Sequence, residues 1–118
     1  DTGKIIDISR FDIGKNTTAY ENYLKLLDQS IKLFKKNIHR IINNDYSLRK
    51  QNLKKGSYFS RNSVDYKKLI FLKEITHNKS THNKIRSLIF PPFQLPIYNG
   101  KKIKRSIFKN NKIKLVYN

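Results

Sequence analysis

Three histidines and eight carboxylates, with no cysteine, are the chain's whole inventory for acid–base, nucleophilic or metal chemistry. His77 and His82 lie five apart in a polar stretch with no carboxylate nearby, and no thiolate accompanies them. A zinc-type site needs three or four N, S or O ligands held together, which this spacing does not supply. Asp65 and Glu74, the only acids after residue 46, fit the exposed face of a short helix, where ion pairing is the usual role. With four glycines there is no Gly-rich phosphate loop, and no Ser-His-Asp arrangement can be argued. The expectation is no catalytic residue, no metal, no cofactor and no small-molecule substrate, hence not an enzyme.

The basic residues carry more information. The chain has 26 Lys+Arg against 8 Asp+Glu, a net charge of +18 on 118 residues. Residues 1–46 are nearly balanced, with 8 basic and 6 acidic side chains, whereas residues 47–118 carry 18 and 2. Charge of that density repels itself, so a polyanionic partner is expected, nucleic acid first and an anionic membrane surface second. Lys54 and Lys55 precede Gly56, a residue that lets backbone approach a phosphate closely. Lys84, Arg86 and Ser87 open a predicted strand, and Lys101, Lys102, Lys104 and Arg105 follow the Asn99-Gly100 turn. Arg binds phosphate through a planar fork and Lys as a point charge, so these groups are the expected RNA contacts.

Two unlike parts must position them: an N-terminal extension over 1–46 and a basic domain over 47–118. In the extension Tyr20, Leu24, Leu27, Ile31, Phe34, Ile38 and Ile41 recur at spacings of four and three, one face of a helix over 18–43. Thr18 with Glu21 reads as a capping box, and Asn43-Asn44 as a stop. That stripe needs cover, and docking on protein is the favoured reading, ahead of a coiled coil or a membrane-surface helix. The basic domain is read as a loop over 47–59 and a second helix over 62–75, with Val64, Leu69, Leu72 and Ile75 inward. A loop over Thr76–Asn83 follows, then strands Ile85–Phe90, Leu95–Tyr98 and Ile103–Lys109. Asn99-Gly100 predicts a tight hairpin, because a type I′ turn needs two residues tolerant of positive φ. The expected class is α+β, a short helix and a small three-stranded antiparallel sheet behind a long amphipathic helix. Apolar runs fall far short of the ~20 residues that span a bilayer, so no membrane role is expected. No targeting segment is visible.

In these basic segments the chain resembles ribosomal protein nineteen of the small subunit. Leu53-Lys54-Lys55-Gly56-Ser57-Tyr58-Phe59 is similar to that family's Leu-Lys-Lys-Gly-Pro-Phe. Arg86-Ser87-Leu88-Ile89-Phe90-Pro91 is similar to its Arg-Ser-Thr-Ile-Phe-Pro, and Tyr98-Asn99-Gly100-Lys101-Lys102 to its Asn-Gly turn. Phe108, Ile113 and Tyr117 fall at the family's later apolar positions. The resemblance implies a structural constituent of the ribosome that binds small-subunit rRNA beside ribosomal protein thirteen. With the 1–46 extension and a Lys-, Asn- and Ile-rich composition, it implies a mitochondrial ribosome, with a plastid-type organelle or bacterial cytoplasm as alternative. Another organellar nucleic-acid-binding protein, such as a nucleoid or RNA-processing factor, is the second reading.

Overall fold

A computed structural model describes residues 2–118. Thr18 starts the longest element as its sequence suggests. Its backbone N–H donates to the Glu21 carboxylate at 2.8 Å, and its hydroxyl accepts from the Glu21 N–H at 3.2 Å. Two orphan donors at the helix start are thereby satisfied reciprocally. Helix α1 runs over Ala19–Ile42, with Asn44 at φ 53° just beyond its end. The chain divides into two compact units, residues 1–12 with 25–63, and residues 13–24 with 64–118, so α1 contributes to both.

In the first unit, Ile5 and Arg49 form an antiparallel bridge, and a single 3-10 turn spans Leu53–Lys55. The only buried residue on α1 is polar. Asn37 donates to the Asp7 carboxylate and to the Leu33 carbonyl, both at 2.9 Å, while its own carbonyl oxygen has no partner among the described residues. Lys36 reaches the same carboxylate at 3.0 Å. Donors from Asn37, Lys36 and the Ile8 backbone favour the ionised form, which holds Asp7 down at about 2, below its ordinary 3.8.

The second unit holds the apolar core. Asp65 caps a one-turn helix, α2, Tyr66–Leu69, and accepts from the Lys68 N–H at 3.3 Å. Strand β1, Phe71–Leu72, follows at once. Asn78 then caps α3, Lys79–Leu88, accepting from the Thr81 N–H at 2.8 Å. Helix α3 is the crossover that a parallel pair requires, because β1 pairs parallel with β2, Ile97–Tyr98. The Asn99-Gly100 turn, with φ of 49° and 73°, returns the chain into β3, Lys101–Lys109. A second turn, Asn110-Asn111 at φ 50° and 55°, leads into β4, Lys112–Tyr117. The sheet order is β1-β2-β3-β4. Ile85, Leu88 and Ile89 from the end of α3 meet Ile103 and Ile113 from the sheet, with Leu72, Leu95 and Phe108 packed around them.

The α+β class and the long N-terminal helix stand. The three-stranded antiparallel sheet is corrected to a four-stranded mixed one, through β1 at one edge and β4 at the other. Residues 62–75 are not one helix, since α2 ends at Leu69 and the chain extends at Phe71. Residues 76–83 are not all loop, and Ile85–Phe90 is no strand: His82, Ile85, Leu88 and Ile89 share the inward face of α3.

Candidate functional site

Each expected RNA contact has a definite place, and the places differ. Lys54 and Lys55 form the exposed 3-10 turn of the first unit, and Gly56 closes it with an N–H to the Leu53 carbonyl at 3.2 Å. A few residues on in sequence, Tyr58 is 90% exposed and Phe59 76%, so two rings stand in solvent. Sequence reading counted those rings only as part of a motif.

In the second unit Lys84, Arg86 and Ser87 lie on α3, where Lys84 is exposed and Ser87 donates to the Lys84 carbonyl at 2.8 Å. Arg86 serves the fold. Its Nε donates to Asn83 Oδ1 at 2.9 Å, and a terminal nitrogen donates to the Thr17 carbonyl at 2.8 Å and the Gly14 carbonyl at 3.4 Å. Lys101, Lys102, Lys104 and Arg105 are exposed on β3. A register shift between Ile103 and Arg105 leaves Lys104 as the extra residue of a bulge. Burial on β3 therefore recurs at Ile103 and Ser106, three apart, and Lys104 and Arg105 are exposed together. They border a cavity of about 360 Å3 with Thr18, Tyr20, Glu21 and Ile89, in which Arg105 pairs with Glu21 at 3.6 Å.

His77 and His82 are bound into the fold, while His39 is exposed on α1. His82 is fully buried and stacked on Phe108 at 5.7 Å. A carbonyl can only accept, so Nε2 carries the hydrogen and donates to Lys15 O at 3.0 Å. In the neutral ring Nδ1 then accepts from the Ser106 hydroxyl at 2.8 Å. His77 Nδ1 accepts from the Ile113 N–H at 3.0 Å, which fixes the start of β4. Among the described residues no group of three His, Cys, Asp or Glu could hold a metal ion, and no helix is long and apolar enough to cross a membrane.

The docking stripe is split. Leu24, Leu27, Ile31 and Phe34 are 42–60% exposed, while Tyr20, Ile38 and Ile41 are half-buried. In the first unit Ser30, Leu33 and Asn37 of α1, with Phe34 and Ile41 from the stripe, line a cavity beside the 4–7 segment.

Two crystal structures resemble this chain over 92% of its length at 42% identity, each with a TM-score of 0.81. One is WlaRD, a sugar 3N-formyltransferase determined in the presence of dTDP and 5-N-formyl-THF. The other is an N-formyltransferase from Helicobacter canadensis in complex with folinic acid and dTDP-3-aminofucose. The chain is similar to sugar N-formyltransferases. It spans 39–40% of the length of those two proteins. A 4-N formyltransferase from Francisella tularensis shares the fold, with a TM-score of 0.66 at 22% identity over 98% of this chain. No protein-family model and no curated protein matches the chain.

These likenesses overturn the ribosomal reading, and with it the expected rRNA and ribosomal protein thirteen partners and the non-enzymatic role. The second reading, another nucleic-acid-binding protein, has no support either. The exclusion of a small-molecule substrate falls too, because the similar proteins are enzymes with dTDP or a dTDP-sugar and a formyl-folate. The physical reason is visible in the fold. The Arg86–Pro91 motif, aligned to a ribosomal strand, is the last turn of α3 and the loop beyond it. What remained of that resemblance was a basic composition and an Asn-Gly hairpin, which many basic domains share.

Proposed function

We propose that this chain is part of a sugar N-formyltransferase, and that its share of the work is to bind and position a dTDP-linked amino sugar. The observation that carries this is the 42% identity over 92% of the chain to two such enzymes, both determined with dTDP or a dTDP-sugar. In the reaction the sugar amine attacks the formyl carbon of a formyl-tetrahydrofolate. A C–N bond forms, the C–N bond to folate breaks with its electron pair going to the folate nitrogen, and the proton the amine loses ends on that nitrogen. His77 and His82 are occupied in the fold, so no acid–base step is assigned to them.

Binding is where this chain's own residues fit. Phosphate recognition, first read as RNA contact, suits a diphosphate equally well. Lys54 and Lys55 supply point charges, and Tyr58 and Phe59 supply exposed rings for a nucleobase face. Stacking of one base on an aromatic ring is worth about 1–3 kcal/mol. Tyr58→Ala with Phe59→Ala is therefore expected to weaken dTDP binding roughly 5- to 150-fold in calorimetric titration of the protein that contains this chain. Unchanged dTDP affinity in that variant removes the two rings from the site.

The exposed stripe on α1 fits the same reading. Leu24, Leu27, Ile31 and Phe34 are exposed apolar side chains along one helix, the kind of surface a protein partner covers. The proposed cover is the remaining body of such a transferase, since the similar enzymes are about two and a half times as long as the segment matched here.

A further inference from the structure

The second unit contains a concavity of about 420 Å3 whose lining includes Lys15, Lys79, His82, Asn83, Arg86 and Phe108, and no carboxylate. Gathering three cations on one wall without an acid costs electrostatic energy, and neighbouring interactions hold the wall in place. His82 Nε2 donates to the Lys15 carbonyl. The Asn16 side-chain oxygen accepts from the Phe108 N–H at 3.0 Å. Arg86 donates to the Gly14 and Thr17 carbonyls and to Asn83. Four bonds from α3 and β3 thus tie residues 14–17 down, and the stacked His82 and Phe108 rings lie at the lining. Among the described residues Arg86 donates to neutral oxygens, and no carboxylate lines the cavity to offset its charge.

We propose that this cavity binds a small phosphate-bearing ligand, with Arg86 as a fixed guanidinium and Lys15 and Lys79 as converging point charges. The volume selects a small molecule, since ligand pockets run roughly 300–1,000 Å3 and a nucleic-acid strand needs a longer groove. Triple cationic lining selects a multiply charged anion, and the planar guanidinium favours phosphate oxygens. The proposal does not depend on the transferase reading.

Calorimetric titration of the whole protein with inorganic pyrophosphate tests it. Lys15 and Lys79 are exposed, so Lys15→Ala with Lys79→Ala leaves the fold intact and is expected to weaken binding at least tenfold. Lys112→Ala with Lys114→Ala removes the same charge from β4 and is expected to leave affinity unchanged. The Lys15 and Lys79 effect is expected to persist in a Lys54→Ala, Lys55→Ala background, which removes any pyrophosphate held in the first unit. Equal weakening by the β4 pair shows a general charge effect and overturns the proposal. No weakening by the Lys15 and Lys79 pair, or a loss confined to the Lys54 and Lys55 pair, also overturns it.

Discussion

Leu27→Asp combined with Phe34→Asp is expected to cost the intact protein roughly 3–6 kcal/mol of unfolding free energy, from about 1.5–3 kcal/mol for each apolar side chain whose burial is lost. Leu27 is 42% and Phe34 60% exposed in the chain by itself, so a folded segment alone would barely register the change. Only if another protein surface covers the stripe does the full cost appear. Denaturant unfolding of the intact protein reads it directly. A midpoint equal to wild type would mean that the stripe faces water, and that the α1 face is no docking surface.

Ile103→Ala is expected to cost about 2–5 kcal/mol, the range for removing most of a buried branched side chain and leaving a cavity. Ile103 is 0% exposed on β3, packed with Ile85 and Ile89 from α3 and Ile113 from β4. Because those neighbours come from a helix and a strand, the site can collapse only if the helix moves toward the sheet. The cost should fall near the upper end for that reason. Ile107→Ala, on a half-buried position of the same strand, should cost clearly less. Equal losses at the two positions would contradict the core assignment.

What was legible in the sequence was what local chemistry decides. Thr18 and Glu21 are three apart and cap each other, so the start of α1 could be read from two letters. Asn99-Gly100 needs positive φ at both residues and takes it. Asn110-Asn111 makes the same demand, but without a glycine its signal is fainter, and β4 went unread with it. Helix α3 was missed because Ile85, Leu88 and Ile89 form a short apolar run that suits either period. The residue that completes its helical face is His82, a polar side chain that joins the core through Ser106 and a backbone carbonyl. Strand β1 pairs in parallel with a strand 26 residues downstream in register, Phe71 with Ile97, and no local pattern reports a partner that distant.

The site was legible in part. Lys54, Lys55 and Gly56 were singled out for phosphate chemistry, which the proposed function retains with a different ligand. Arg86 was singled out as an anion contact, and what the sequence did not show is that it also braces residues 14–17. The likeness to transferases is spread over nearly the whole chain rather than gathered in a short motif, so short-motif comparison found the basic segments and misassigned them.

Incubating the protein that contains this chain with a formyl-tetrahydrofolate and a panel of dTDP-linked amino sugars, dTDP-3-aminofucose among them, tests the central claim most directly. Mass spectrometry should detect an N-formylated dTDP-sugar that forms only when both substrates and the protein are present. No formylated product from any sugar in the panel, from protein that is folded and shows no dTDP binding by calorimetry, would contradict the account.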